Sequence, residues 1–420
     1  MSKIKVVISC PIDTYSGYGA RSRDLVKALL KTEKYDVKIL SQRWGNTRFG
    51  YLNDHNEREL TSLIIPQLTA KPQVWMQVTV PNEFQPVGEY NIGVTAGIET
   101  TICDPSWIEG LNRMNLNLVS SNHAKETFER SKFNIEENGQ LKGTVQLEKP
   151  IEVLFEGADL QKYFPTTSNF DLSEVEENFA FLFVGHWLQG DFGQDRKNVG
   201  YMIKAFLEVF KNKKKQPALI LKTQAANASI LDRDNLLKKI DDIRKSVKGT
   251  LPNIYLIHGE MSDEDINHLY NHSKVKAMVS FTKGEGFGRP LLEFSLVNKP
   301  IIASNWSGHI DFLDKEFTYQ VTGQLTNVHP SAAVDKMLLK ESQWFTPDDI
   351  SAGTALRTVF EDYKKALELA KRQGYKSRTS FSFDKMVERL QEIFSNNLPV
   401  FPEEVALQLP KLNLPKLQKV

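Results

Sequence analysis

Cysteine is almost missing from this chain: Cys10 and Cys103 are the only two in 420 residues. No disulfide framework stands out, and a reducing cytoplasm is the expected setting. An excess of charge of one sign is missing as well. Lys and Arg number 53 against 52 Asp and Glu, a formal net charge of +1. Nothing pulls the whole chain toward nucleic acid or an anionic membrane, which leaves only local basic patches open. No apolar run approaches the ~18 residues of a membrane span, so no transmembrane segment is expected. The opening Met1-Ser2-Lys3-Ile4-Lys5-Val6-Val7-Ile8 runs directly into a strand pattern and does not read as a secretion signal. What is present is ordinary for a globular protein: 40% apolar and 25% charged residues, over a length that accommodates two cores. These features point to a soluble cytoplasmic protein, a monomer or homodimer, of two domains.

The most informative stretch is Gly284-Glu285-Gly286-Phe287-Gly288-Arg289-Pro290-Leu291-Leu292-Glu293-Phe294. It follows Lys276 to Phe281, an apolar run with the length and β-branched content of a buried strand. Glycines break the strand pattern, and helix-compatible residues resume at Leu291. A glycine-rich turn from strand into helix turns backbone N–H groups and a positive helix end toward a sheet edge, where a diphosphate can sit. Pro290 suits a first helical turn, where its missing N–H costs nothing. Glu285 and Glu293 would then face one ligand at different heights. The alternative is a plain strand–helix corner with one solvated and one capping Glu.

Glu285-Gly286-Phe287-Gly288, with seven residues between Glu285 and Glu293, resembles the E-x7-E signature of retaining, family-4 type glycosyltransferases of the GT-B fold. Lys299-Pro300-Ile301-Ile302-Ala303-Ser304 resembles the strand that follows it in that family, with Asn298 where a Gly is common. The resemblance implies an α/β, GT-B architecture of two Rossmann-like domains facing across a cleft. It also implies that Glu285 lies near the transferred sugar, that Glu293 contacts the donor ribose, and that Gly286, Phe287 and Gly288 belong to the donor site.

In the first half, Ile4 to Cys10 reads as a buried strand, and Ala20 to Leu30 as a helix with Leu25, Ala28 and Leu29 on one face. The loop between them carries Gly17 and Gly19, which resemble the family's N-terminal glycine loop near the donor phosphates or the acceptor. Further strands are expected at Val37 to Leu40, Val74 to Val80, Ile92 to Ala96, Leu116 to Ser121 and Ile151 to Phe155. Gly97-Ile98-Glu99 stands where many family members carry a His facing the sugar. Glu99 either orients an acceptor hydroxyl or belongs to a helix-capping network with Thr100, Thr101 and Asp104. His123, in a first helical turn, reads either as a base or as a structural residue. Val78-Thr79-Val80-Pro81-Asn82-Glu83-Phe84 and Thr95-Ala96-Gly97-Ile98-Glu99-Thr100 are similar to glycosyltransferases encoded by tailed bacteriophages. Residues 134–150 read as an inserted surface hairpin. Glu156-Gly157-Ala158-Asp159 resembles the segment that closes the family's first domain, with Glu156 replacing an Asn.

The polar stretch 166–178 reads as the interdomain linker. Phe179 to Val184 begins a second α/β unit, followed by His186 and by Asp195-Arg196-Lys197-Asn198. The resemblance makes Lys197 and Arg196 the cations that hold the donor diphosphate, with His186 where an Arg is frequent. The chemistry requires such cations, because the leaving diphosphate gains charge as the glycosidic bond breaks. Strands follow at Ala218 to Lys222 and Ile254 to Ile257. Lys222 would touch phosphate or ribose, and Met261 would wall the base. Asp232-Arg233-Asp234 and Asp263-Glu264-Asp265 match a D-x-D metal pattern, but each opens a helix-like segment where Asp serves as cap. The resemblance implies no metal, since GT-B chemistry uses Lys and Arg in its place, and no cofactor, with a nucleotide diphosphosugar, a UDP-sugar first, as co-substrate. Asn305-Trp306-Ser307-Gly308-His309 would loop near the donor sugar or its phosphates, and Phe381 to Ile393 reads as a terminal helix. The tail repeats Leu409-Pro410-Lys411-Leu412 as Leu414-Pro415-Lys416-Leu417, an extended arm that packs on its own domain or serves a dimer contact.

The expected division is residues 1–165 for the acceptor, 166–380 for the nucleotide sugar, and 381–420 returning onto the first domain. The expected activity is retaining, metal-independent transfer of a sugar to an acceptor hydroxyl. The acceptor is a glycan, a lipid-linked sugar or, following the phage resemblance, a hydroxymethylated base in duplex DNA. A catalytically degenerate sugar-binding or scaffolding protein on the same fold is the alternative.

Overall fold

The computed structural model describes residues 3–137, 140–225 and 228–402. The chain begins with β1 (Ile4–Cys10), buried from Val6 onward as a strand covered on both faces must be. Helix α1 (Gly17–Lys31) follows, and then β2 (Tyr35–Ser41). Two short helices, α2 (Tyr51–Asp54) and α3 (Arg58–Ser62), precede β3 (Val74–Val78) and β4 (Tyr90–Val94). Next come α4 (Pro105–Asn112), β5 (Leu116–Val119) and α5 (Asn122–Arg130). An antiparallel hairpin, β6 (Phe133–Glu137) with β7 (Gln140–Val145), projects before β8 (Ile151–Val153). The sheet is parallel throughout, in the order β2-β1-β3-β4-β5-β8.

The second sheet repeats the plan. Its elements are β9 (Ala180–His186), α6 (Val199–Phe210), β10 (Ala218–Gln224), α7 (Ile230–Ser246) and β11 (Ile254–Ile257). After α8 (Asp263–Asn271) come β12 (Val275–Ser280), α9 (Arg289–Ser295), β13 (Ile301–Ser304) and β14 (Tyr319–Val321). The order is β11-β10-β9-β12-β13-β14, again all parallel. A hairpin of β15 (Gly323–Asn327) and β16 (Gln343–Pro347) sits beside it, followed by α10 (Asp349–Glu361), α11 (Tyr363–Ser380) and α12 (Phe383–Asn397). Two Rossmann-like α/β domains thus face one another across a cleft. Among the described residues no helix is long and apolar enough to cross a membrane.

Several boundaries differ from the sequence reading, each for a local reason. Helix α1 starts at Gly17, before Ala20, because the Ser16 hydroxyl accepts the Gly19 N–H at 2.9 Å and caps the helix there. Strand β3 stops at Val78, ahead of the turn that Pro81 opens. Strand β9 runs past Val184, since Gly185 and His186 stay paired with Thr223 and Gln224. Helix α12 starts at Phe383, where the Ser382 hydroxyl caps it. The 166–178 stretch is not free of apolar anchors: Leu172 and Val175 are buried in the second domain's core. Lys274 donates to the Leu172 and Val175 carbonyls and holds the segment down.

The chain passes between the domains twice, and the two passages touch. Ala158 N–H donates to Phe381 O at 2.9 Å, and Phe383 N–H donates to Ala158 O at 2.8 Å. Gly157 is required here, because a Cβ would fall 2.7 Å from Phe383 Cα. Beyond this crossing, α12 lays Met386, Val387, Leu390, Ile393 and Phe394 into the core beneath β1 and α1. Both cysteines are free thiols, buried and pushed up to about 12 by that burial. The Leu-Pro-Lys-Leu repeats of the tail lie outside the described residues.

Candidate active site

Each sheet reverses its direction of growth beside its first strand, and in such sheets ligands bind at the C-terminal strand ends next to that reversal. In the second sheet the reversal lies between β9 and β12. The loops leaving these strands are the ones that carry Arg196-Lys197 and Gly284-Glu285.

The turn at 195–198 is built from within. Asp195 is buried, and its carboxylate accepts the Val199 N–H at 3.2 Å, capping α6. Asn198 takes a left-handed φ of 57°, a conformation Asn tolerates better than most residues. Lys283 N–H donates to Arg196 O at 2.8 Å, tying this turn to the loop after β12. On that loop the Glu285 N–H donates to Ser307 Oγ at 2.9 Å, and Gly308 N–H donates to Glu285 O at 2.9 Å. The 305–309 loop therefore lies against the glycine turn. A Cβ on Gly308 would sit 2.1 Å from Gly286 O, so position 308 requires glycine.

These turns bring four of the expected site residues together. Lys197 Nζ donates to Glu285 Oε1 at 2.5 Å. Arg196 Nη1 lies 3.5 Å from Glu285 Oε2 and 3.5 Å from Glu99 Oε1, and donates to Gly284 O at 2.8 Å. Glu285 is 6% exposed. Burial alone would push its carboxyl up, but Lys197 and Arg196 outweigh burial and hold it down to about 2. Glu99 comes from the first domain, so this cluster spans the cleft. The capping reading of that segment falls to Asp104, whose carboxylate accepts the Ser106 N–H at 2.9 Å.

Glu293 is placed elsewhere. It is 9% exposed, on the face of α9 that also carries Arg289, and its Oε1 lies 3.5 Å from Arg289 Nε. It borders a cavity of about 180 Å³ between the domains, with Asp24, Tyr163, Asp263 and Arg289 among its walls. Burial raises its carboxyl to about 7, with Asp263, Asp24 and Glu156 adding to the rise and Arg289 opposing it.

A larger cavity of about 510 Å³ opens across the cleft between Tyr15, Gly17, Trp44 and Arg48 on one side and His186, Gln224 and Glu260 on the other. Gly17 and His186 line it. Gly19 does not; a Cβ there would fall 2.3 Å from Thr14 O, so it serves the close packing of the loop on α1. Gly288 supplies the left-handed φ of +96° that starts α9, and a Cβ on Gly286 would meet Ala96 O of the first domain at 2.6 Å. The ring of Phe287 is 3% exposed and packs 5.0 Å from Phe312, so only its backbone can reach a ligand. Lys222 Nζ donates to Gly259 O at 2.7 Å, bracing the turn before Met261, which is half-buried on the second core. His123 lies against Trp306 of the other domain, 4.6 Å between rings, and burial lowers its imidazole to about 4.

Asp263 and Asp232 of the two D-x-D stretches are engaged in ion pairs and hydrogen bonds. Asp263 pairs with Lys162 at 2.6 Å, and Ser262 caps α8. Asp232 accepts the Ala225 N–H at 3.0 Å and lies 2.8 Å from His258 Nε2. Tyr18 and Arg289, to which the sequence reading gave no role, also reach the cleft, as does Ser307 of the 305–309 loop. Tyr18 shares a 2.9 Å hydrogen bond with Thr95 Oγ1 and stacks on Trp44 at 4.0 Å. Ser307 holds Glu285, and Arg289 bridges the domains. Arg289 sits inside the signature itself, so its charge at a helix start, where cations are disfavoured, was the available signal.

Residues 170–347 match the model of the family described as Glycosyl transferases group 1, so the second domain carries that family's sequence pattern. No curated protein matches the chain. Among solved structures, the chain is similar to a glycosyltransferase from Rickettsia africae, at a TM-score of 0.63 and 13% identity over 95% of this chain and 99% of that one. Sucrose-phosphate synthase from Thermosynechococcus elongatus superposes with a TM-score of 0.60 at 12% identity, over 94% and 99%. Anabaena HepE, in complex with UDP and glucose, superposes with a TM-score of 0.56 at 13% identity, over 94% and 100%. At such identities the likeness speaks for the fold, which is GT-B.

Proposed function

We propose that this protein is a retaining glycosyltransferase of the family-4 type, moving a sugar from a nucleoside diphosphosugar to an acceptor hydroxyl. The observation that carries the reading is the Arg196–Lys197–Glu285 cluster at the reversal point of the second sheet. In the absence of donor, the two cations neutralise Glu285. With donor bound, Lys197 and Arg196 would be shared with the diphosphate, and the leaving group's growing charge would meet fixed cations in a partly desolvated site. The reacting step is a displacement on one face of the sugar. The bond from the anomeric carbon to the β-phosphate oxygen breaks, the acceptor oxygen bonds to that carbon, and its proton passes to the departing phosphate oxygen. Glu285 would position the sugar and Glu293 the ribose, while Glu99, reaching across from the first domain, would orient the acceptor hydroxyl. No metal enters this scheme, since Lys197 and Arg196 supply the positive charge a metal would otherwise bring to the diphosphate.

The donor class tried first is a UDP-sugar, because the Anabaena neighbour holds UDP and glucose. The acceptor is a glycan or a lipid-linked sugar, with a hydroxymethylated base in duplex DNA as the reading that the phage resemblance favours. Such a base would have to be extruded to react. The test is a thermal-shift panel of UDP, GDP, ADP and their sugar conjugates, without and with divalent metal. Stabilisation by one nucleotide alone, independent of metal, is the expected result. No response to any of them overturns the donor reading and leaves a degenerate fold. Binding to duplex DNA that weakens steeply with salt separates the DNA acceptor from a glycan.

A further inference from the structure

Arg289 opens α9, a position where a cation is disfavoured by the helix dipole. Its side chain leaves its own domain. Nη1 donates to Asp24 Oδ2 on α1 at 2.5 Å and lies 3.3 Å from Glu156 Oε2, both in the first domain. The same guanidinium keeps Nε 3.5 Å from Glu293 Oε1, in the second. One partly buried cation, its side chain 25% exposed, is therefore shared among carboxylates of both domains, beside the cavity that Glu293 borders. In this closed arrangement Glu156 is 6% exposed and Glu293 9%, so both carboxylates depend on the shared guanidinium for their compensating charge. Arg21, also buried, anchors the first-domain side by donating to Phe155 O at 2.9 Å and to Leu154 O.

We infer that Arg289 is a positioning residue that couples closure of the two domains to the aim of the Glu293 carboxylate at the donor ribose. In the closed arrangement Arg289 is pinned from the first domain and holds Glu293 in a fixed direction. When the domains part, Asp24 and Glu156 withdraw, and Arg289 and Glu293 are released together. A donor seated on Glu293 then favours closure, because only the closed state orients both residues. The coupling to ribose rests on the glycosyltransferase reading; the coupling to closure does not.

The test uses the full chain carrying Arg289→Met, Arg289→Lys, Asp24→Asn or the double variant Asp24→Asn/Arg289→Met. Small-angle scattering of the unliganded proteins reads closure, and steady-state kinetics with the donor read KM against kcat. Arg289→Met is expected to enlarge the radius of gyration and to raise donor KM about tenfold with kcat little changed, the pattern of lost ground-state binding. Lys at this position is expected to recover part of both effects. Asp24→Asn, on the opposite domain, should reproduce the Met variant, and the double variant should add little, because the two residues form one interaction. Additive effects, or a radius and KM that do not move, overturn the inference. If Arg289→Met fails to fold, Asp24→Asn and Glu156→Gln carry both readouts. If the wild type binds no nucleoside diphosphosugar, the proposed function falls, while scattering alone still decides the coupling to closure.

Discussion

Glu285 and Glu293 stand eight positions apart in one short stretch, and both are buried, at 6% and 9% exposure. Burial pushes both carboxyls up. For Glu285 the neighbouring Lys197 and Arg196 outweigh it, and the group is held down to about 2. For Glu293 the single cation Arg289 is divided among Asp24, Glu156 and Glu293, with Asp263 close by, and the group rises to about 7. Two identical side chains on one signature thus become a fixed anion and a carboxyl that shares its proton near neutrality. The difference lies in the ratio of cations to carboxylates around each one. It suits their proposed work, since a permanent charge holds a sugar in place against a cationic background. A half-protonated carboxyl can both donate to and accept from ribose hydroxyls.

The largest expected effect comes from removing the cation that makes Glu285 an anion. Lys197→Ala should cut turnover by about 10²–10³-fold, the scale of losing one preorganised charge partner, with circular dichroism unchanged. Near-normal turnover would end its assigned role. Glu285→Gln should lower turnover by a similar order and also change acid stability. A depressed carboxyl stabilises the fold above its ordinary range near 4.5, and that contribution is lost as pH falls toward about 2. The variant should therefore lose less stability than the wild type between those limits, as read by melting temperature against pH.

Glu293→Gln should behave in the opposite sense. A raised carboxyl stabilises the fold below 4.5, and the contribution is lost as pH rises through about 7. The variant should gain on the wild type as pH climbs across that window, and a difference that stays flat would contradict the contrast between the two residues. Gly286→Ala tests the Glu285 side by geometry. A Cβ 2.6 Å from Ala96 O must push the two domains apart there, so kcat should fall more than donor affinity. The smallest effect is expected at Gly17, where an added Cβ meets nothing within 4 Å; Gly17→Ala should leave the melting temperature within about a degree or two.

Much of this molecule is legible in one dimension, because parallel strands buried on both faces must be continuous apolar runs. Ile4–Cys10 announces itself that way, and the runs read from Ala218 to Lys222 and from Lys276 to Phe281 lie on strands whose observed ends are Ala218–Gln224 and Val275–Ser280. Glycines are legible where a turn must start a helix, as at Gly288. The ends of elements are not, because they depend on a cap such as Ser16 or Ser382, or on pairing such as that of His186 with Gln224. Phe287 shows a further limit. A resemblance identifies the turn it belongs to, but only packing on Phe312 turns its ring away from the cleft. Arg289 shows a third limit: its charge at a helix start is visible in the sequence, but its partners Asp24 and Glu156 lie 265 and 133 residues away along the chain.

By itself the sequence determined two α/β units, a glycine turn carrying two glutamates, and an Arg-Lys pair after a strand, because periodicity, turn chemistry and local spacing are properties of neighbours in the chain. Tertiary structure alone decided that Lys197 and Arg196 meet Glu285, that Glu99 reaches them from the other domain, and that Glu293 turns instead toward Arg289 and three acidic neighbours. The charge a buried carboxyl carries is set by groups within a few ångströms in space, and for these two residues those groups come from distant parts of the chain.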